Sequence, residues 1–370
     1  MSQNDPITEG AVVAPPKLEV VRSGALVKFV LNRPRVLNAF DDEMRAVLAS
    51  EIPRVARNPD IYICALISAS ERAFCAGGDV RALAGCAKTD RSRAREMFAA
   101  EYRLDWLLEC FSKPTVSFIN GICMGSGAGL TCFNTHRVAG ENYAFAMPET
   151  AIGLFPDVGV SYRLAALPWP VGLYLGLTGR SITRADAYWL GLATHCIAAG
   201  RFEGIARALS QAEPVDPLLD SLHEDPGKGE VEGDLAMIRD YFSGETPGDI
   251  LSALARAKGV AKPWADNVLQ ELSSRSPTSL AITHRHIRSC RKLDLRETLI
   301  QDFRIAWRCL EENDFMEGVR AALIDKDHAP RWAPATIDDI DEAEIARYFE
   351  PLGADDLDLP SRDRMQAARV

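Results

Sequence analysis

Met147-Pro148-Glu149-Thr150-Ala151-Ile152-Gly153-Leu154-Phe155-Pro156-Asp157-Val158-Gly159 is the stretch on which the reading of this chain turns. It follows the short run Phe145-Ala146 and sets two carboxylates eight residues apart, with Gly153 and Pro156 between them. Glycine and proline at these points work against a continuous helix, so the segment has to bend. A bent loop can bring Glu149 and Asp157 to one pocket, where two carboxyl groups divide acid and base duties or position a water. The plainer reading gives each a local task, with Glu149 at a helix start behind Pro148 and Asp157 capping the next helix. Spacing alone slightly favours the capping roles.

Upstream lie two glycine loops, each after a stretch of strand character. They are Phe74-Cys75-Ala76-Gly77-Gly78-Asp79 and Asn120-Gly121-Ile122-Cys123-Met124-Gly125-Ser126-Gly127-Ala128-Gly129. Glycine lets backbone approach a ligand and leaves N–H groups free, which suits an anion or a developing oxyanion. Singly, each loop is as well explained as a turn. The second lacks G-x-G-x-x-G spacing, which disfavours a dinucleotide site. Ser126 is flanked directly by glycines and not set in G-x-S-x-G, so its backbone N–H is a better candidate than its hydroxyl. Cys75 and Cys123 lie beside these loops, but no histidine in the same motifs is there to activate a thiol.

The rest of the chain gives these loops a setting. Leu18 to Arg22 and Ala25 to Leu31 read as a hairpin across Ser23-Gly24, and Asp41 caps a helix running toward Asn58 with an interruption at Pro53. Ile61 to Ser68 is a nearly continuous apolar run, as expected of a strand covered on both faces. A loop with Gly77 and Gly78 and a helix from about Ser92 to Phe111 follow, then a strand over Thr115 to Asn120 and a short helix from Gly127 to about Asn134. Short β and α units in alternation favour an α/β fold with crossover connections. From Asp157 to about Gly191, and again from Gly248 to Ile324, the period is helical, with Ile282, His286, Ile287 and Cys290 on one face.

Composition narrows the partners. The chain has 370 residues, 42 Lys and Arg, 52 Asp and Glu, and a formal charge of -10. An acidic chain without a run of five basic residues is a poor match for nucleic acid or an anionic membrane, and no stretch reaches the roughly 20 apolar residues of a membrane span. Nine cysteines, odd in number and with no C-x-x-C pair, point to buried thiols in a reducing compartment and to a cytoplasmic protein. Six histidines with only His284 and His286 close together disfavour zinc, so no metal is expected. The acidity is concentrated: residues 201 to 249 carry 12 acidic and 4 basic residues, and residues 338 to 370 carry 10 and 4. The remainder, which holds every motif, has a net charge of +4.

Together the three segments resemble the crotonase (enoyl-CoA hydratase/isomerase) superfamily, and more narrowly its 3-hydroxyisobutyryl-CoA hydrolase branch. The branch resemblance rests on the Met147 to Gly159 run, on Ser276-Pro277-Thr278-Ser279-Leu280, and on Asp314-Phe315-Met316-Glu317-Gly318-Val319-Arg320-Ala321-Ala322-Leu323-Ile324-Asp325-Lys326-Asp327. It covers roughly residues 18 to 335. The fold it implies is α/β, a crotonase-like spiral of β-β-α turns with a helical C-terminal region. The expected organisation is a disordered arm over 1–16, the spiral over 17–200, an acidic surface insertion outside the core over 201–249, the helical region over 250–335 and an acidic tail over 336–370. Relatives trimerise through the helical region, which makes a homo-oligomer an expectation here.

The resemblance also implies an acyl-CoA substrate, no separate cofactor since coenzyme A belongs to that substrate, and an oxyanion hole from the backbone N–H groups of Gly78 and Ser126. Relatives usually have glycine where this chain has Ser126, and they often continue the glycine run where it has Val160-Ser161. Hydratases of the family use two glutamates, one in the helix after the second glycine loop, and here that position is Gly129. Without it hydration lacks half its acid-base machinery, whereas thioester hydrolysis needs one activated oxygen and one proton donor, roles that fall to Glu149 and Asp157. Glu101 falls where the hydrolase branch keeps a glutamate near the substrate hydroxyl; a solvated helix position explains it equally. Backbone around Ala76 and Val80 is the expected adenine site, with Arg33 and Lys326 as phosphate candidates. The alternatives are an enoyl-CoA hydratase/isomerase and a non-catalytic acyl-CoA-binding protein.

Overall fold

A computed structural model describes residues 15–370; the arm expected over 1–16 lies outside the described residues up to position 14. Strands β1 (Leu18–Ser23) and β2 (Leu26–Leu31) pair antiparallel, with Gly24-Ala25 as the connection, one residue beyond the expected turn. Helix α1 (Asp42–Arg57) is capped by Asp41, whose carboxylate accepts from the Met44 N–H. It runs through Pro53 without the expected interruption. Proline removes only the bond to the carbonyl four residues back, and the buried face of Met44, Leu48, Ile52 and Val55 holds the helix across that gap.

The next three pairs of strands build the spiral: β3 (Ile63–Ser68) and β4 (Ala73–Cys75), β5 (Thr115–Ile119) and β6 (Ile122–Met124), β7 (His136–Ala139) and β8 (Ala144–Ala146). In each pair the first strand joins a six-stranded sheet, order β1-β2-β3-β5-β7-β9 with β9 at His195–Cys196, and the second joins a three-stranded sheet, order β4-β6-β8. From β2 onward all pairings are parallel. Helices α2 (Val80–Thr89) and α3 (Arg91–Cys110) follow β4, and α4 (Ser126–Cys132) follows β6. The sequence reading has a loop where α2 stands, because Gly77-Gly78-Asp79 reads as a ligand loop and conceals that Asp79 also caps a helix through the Ala82 N–H. Between 157 and 191 the helical period is carried by three short helices, α5 (Val160–Ala166), α6 (Val171–Thr178) and α7 (Arg184–Trp189).

Residues 201–249 are not confined to the surface. Ile205 and Leu209 of α8 (Phe202–Ser210) and Val215 and Leu219 of α9 (Val215–Leu222) form a second core with Leu26, Ile63, Ala65, Val116, Phe118 and Val138. A parallel sheet needs cover on both faces, and these helices supply it while their acids face outward. Ile238 and Phe242, in and just after α10 (Glu230–Tyr241), enter the main core. The helical region comprises α11 (Pro247–Ala255), α12 (Lys262–Ser273), α13 (Pro277–Cys290), α14 (Leu295–Cys309) and α15 (Asn313–Val319). The acidic tail is packed too. Helices α16 (Glu342–Arg347) and α17 (Arg362–Ala367) bury Ile345, Tyr348, Leu357, Leu359 and Met365 with the segments flanking them.

Candidate active site

Both glycine loops leave the small sheet on the same side, one ahead of α2 and the other at the start of α4. Hydrogen bonds from Phe40 N–H to the Gly77 carbonyl and from Asp79 N–H to the Phe40 carbonyl stitch the first loop to the start of α1. A methyl added to Gly78 would come within 3.0 Å of the Ser126 hydroxyl oxygen, so the loops meet at the two residues expected to act together. Neither the Gly78 nor the Ser126 N–H has an acceptor among the described residues. The extra hydroxymethyl of Ser126 lies directly against Gly78.

These loops border a cavity of 610 Å3. Its walls include Arg33, Ala76, Gly78, Val80, Glu101, Ser126, Glu149 and Asp157, eight of the nine residues singled out from sequence. Lys326 is the exception: it is exposed and lines none of this cavity. A cation the sequence reading missed, Lys17, stands at the wall instead, paired at 2.8 Å with both Asp41 and Glu43. Arg33 is partly engaged there, 3.3 Å from Asp79 and 3.4 Å from Asp41.

Glu149 opens a short 3-10 turn (Glu149–Ile152), but its side chain caps nothing. Oε1 lies 3.1 Å from where a Gly125 methyl would sit, and Oε2 is buried with no partner among the described residues. Burial, and then the neighbouring Asp157, push its carboxyl well above the ordinary range. Asp157 is no cap either, since α5 begins after Gly159. Its Oδ2 accepts from the Tyr102 hydroxyl at 2.7 Å. Burial first, then Glu101 and Asp302, raise Asp157 well above its usual value, and the Tyr102 hydrogen bond opposes them. The capping interpretation therefore fails for both residues.

Glu101 is buried, which excludes a solvated helix face. Oε2 accepts from Arg45 at 2.9 Å and Oε1 has no partner among the described residues. It belongs to a stripe of α3, with Ala94, Met97, Phe98, Asp105 and Leu108, that is apolar but for two acids. An acid within such a stripe was the signal available in the sequence for Asp105 as well; nothing comparable announced Tyr102, or Arg45, whose role depends on α1 crossing α3. Cys75 is fully buried and its thiol is pushed up to about 12, chiefly by burial, which removes it as a nucleophile.

The carboxylate loop is seated on the C-terminal helices. Gly153 has φ 74, and a methyl there would strike the Asp314 backbone at 2.2 Å, so only glycine fits. Ser276 N–H donates to the Thr150 carbonyl, and the Ser276 hydroxyl donates to Asp314 at 2.6 Å. The segments 276–280 and 314–327 thus converge on the loop that carries Glu149 and Asp157. Gly129 is closed off: a methyl on it would lie 2.8 Å from Val158 Cβ and 3.1 Å from an Asp105 carboxylate oxygen.

Two glycine loops from successive spiral turns, each with an N–H group that has no acceptor among the described residues, and a glutamate behind a Met-Pro pair define a class, and the family model for enoyl-CoA hydratase/isomerase matches residues 26–349. The chain belongs to that family. Among its relatives, the mitochondrial 3-hydroxyisobutyryl-CoA hydrolase of Gallus gallus is 36% identical over 91% of this chain and 90% of its own length. 3-Hydroxyisobutyryl-CoA hydrolase 1 of Arabidopsis thaliana is 37% identical over 92% of this chain and 93% of its own. A crystal structure described as a carnitinyl-CoA dehydratase from Mycobacterium thermoresistibile superimposes with a TM-score of 0.87 at 33% identity, covering 91% of this chain and 97% of that one. Among the described residues no helix is long and apolar enough to cross a membrane.

Proposed function

We propose that this protein hydrolyses the thioester of a short β-hydroxyacyl-CoA, with 3-hydroxyisobutyryl-CoA, an intermediate of valine breakdown, as the first candidate. The observation that carries the choice between hydrolysis and hydration is the packing at Gly129, where Val158 and Asp105 leave no space for a second carboxylate. The names of the curated relatives support hydrolysis; the dehydratase title of the structural neighbour makes hydration the reading to test against it.

In this reading the thioester oxygen takes hydrogen bonds from the Gly78 and Ser126 N–H groups as negative charge develops on it, each donor worth about 3 kcal/mol of barrier. Glu149 supplies the attacking oxygen, either that of a water it deprotonates or its own; in the second case the mixed anhydride that forms is opened by a water, which frees the acid and restores the carboxylate. The C–S bond breaks with its electron pair going to sulfur, and Asp157 gives the departing thiolate a proton from Oδ1, because Oδ2 is held by Tyr102. The free Oε1 of Glu101 receives the substrate hydroxyl, with Arg45 fixing the other oxygen. Backbone at Ala76 and Val80 takes the adenine, and Lys17 and Arg33 face the CoA phosphates. Nine unpaired cysteines, eight of them buried, favour a reducing compartment such as the cytoplasm.

The test is to offer purified protein 3-hydroxyisobutyryl-CoA and crotonyl-CoA and follow thiol release and double-bond loss separately. Thiol release from the first without hydration of the second is the expected result. Hydration without thiol release overturns the proposal, and CoA binding with neither reaction identifies a non-catalytic acyl-CoA-binding protein. Replacing Ser126 by glycine keeps the donor N–H and widens the pocket, so longer acyl groups gain a few-fold over the short one.

A further inference from the structure

Behind the carboxylate loop, on the side away from the cavity, a fully buried pair joins α13 to α14. His286 Nε2 lies 2.6 Å from Asp302 Oδ1, and both side chains are 0% exposed. The other Asp302 oxygen accepts the Gly159 N–H at 2.8 Å. Asp302 thus bridges the imidazole of α13 and the backbone at the end of the carboxylate loop. The Gln301 carboxamide meets His286 Nδ1 at 2.7 Å, and the Phe155 ring stands edge-on to the imidazole at 5.4 Å. A buried ion pair of this kind is weak evidence for stability, because desolvation offsets the attraction. Its contact with the substrate-facing loop is what distinguishes it: Gly159 is two residues from Asp157, and Phe155 is two residues to the other side.

We propose that Asp302, held by His286, is a positioning residue for Asp157, fixing through the Gly159 peptide the end of the loop that carries the proton donor. The inference rests on the hydrolase reading for the role of Asp157. Asp302 also lays a negative charge behind that carboxyl. From α3 the groups facing Asp157 are Glu101, Tyr102 and Asp105, from its own loop Glu149, and from α14 Cys309 as well as Asp302. Arg45 of α1 is engaged by Glu101, and His286 reaches the group only through Asp302. Burial opposes a charge on His286, but Cys290 and Asp302 outweigh it and hold the imidazolium up to about 10. Burial raises Asp302 as well, so the pair is charged on both sides only above the pH at which Asp302 loses its proton.

Asp302→Asn keeps an oxygen to accept the Gly159 N–H and removes the charge. The limb of the kcat profile that falls as Asp157 loses its proton is expected to move to lower pH by about one unit, a tenfold loss of turnover above it, with KM little changed. Asp302→Ala also releases the Gly159 peptide and lowers kcat at every pH. His286→Asn leaves Asp302 without its cation and displaces the same limb, to higher pH if Asp302 stays charged and to lower pH if it takes up a proton. Profiles of Asp302→Asn and His286→Asn that superimpose on the wild type after scaling overturn the proposal, since a merely structural pair changes height and not position. Carbon NMR titration of the Asp157 carboxyl, in wild type and in whichever of these variants folds, reads the same displacement without substrate. Wild-type protein that releases no CoA sinks the hydrolase reading alone; an unmoved Asp157 titration sinks this inference alone.

Discussion

Two populations of acidic side chains share this molecule and do opposite work. Those of residues 201–249 and 338–370 outnumber the basic residues there by eight and six and lie on outer faces or in ion pairs, as Asp356 does with Arg304 and Asp355 with Arg95. The five beneath the cavity, Glu101, Asp105, Glu149, Asp157 and Asp302, are all buried and, among the described residues, have only Arg45 and His286 as cationic partners. Exposed charges contribute little individually to stability, whereas buried unpaired carboxyls cost stability and are retained where chemistry needs them. Net charge therefore describes how the molecule behaves in solution, and the buried acids describe what it does.

The sharpest way to break this contrast is at Glu149. Glu149→Gln is expected to lower thiol release about a thousandfold while leaving CoA affinity unchanged. The same variant should be more stable than the wild type. Below the ordinary value of 4.5 the carboxyl is neutral in both folded and unfolded chains; above it the unfolded chain ionises while burial keeps the folded one protonated. Folded protein thus loses stability as pH rises toward the raised value, and the melting-temperature gap between variant and wild type should widen over that interval. A variant less stable than wild type at neutral pH would show that Glu149 is a structural acid.

Asp157→Asn should cost about a hundredfold in kcat, because a proton donor is lost while the Tyr102 contact survives. At Gly129 the expectation concerns packing: Gly129→Glu forces a side chain into Val158 and Asp105, costs about 1–3 kcal/mol in denaturant titration, and brings no hydratase activity. Appearance of crotonyl-CoA hydration in that variant would mean the site adapts more readily than its packing indicates. Smallest of all, Glu213→Gln on the exposed surface should alter stability by less than about 0.5 kcal/mol and leave turnover untouched.

What could be read in advance follows from how locally each feature is encoded. The hairpin, the apolar strand at Ile63–Ser68 and both glycine loops carry their signal within a few residues, and the cavity gathers eight of the nine residues chosen from sequence. Lys326 was chosen for its charge alone, and charge does not report where in the fold a lysine lies; it does not line the cavity. Helix α2 was hidden by the same glycines that marked the loop. The packing of α8, α9 and the tail was illegible for a different reason: their apolar faces are narrow stripes among many acids, and only a sheet face or a neighbouring helix reveals what the stripe is for. Arg45, Tyr102 and Asp302 take their meaning from residues 56, 55 and 143 positions away, contacts no periodicity reports.

The central claim is that water ends up on the acyl carbon and not on a double bond. The measurement is turnover of 3-hydroxyisobutyryl-CoA in water enriched in heavy oxygen, with the products examined by mass spectrometry. The account predicts one free CoA thiol per acid formed and, after many turnovers, heavy oxygen in the acid's carboxylate. Heavy oxygen exchanged into the β-hydroxyl of an intact thioester, with no thiol released, would contradict it.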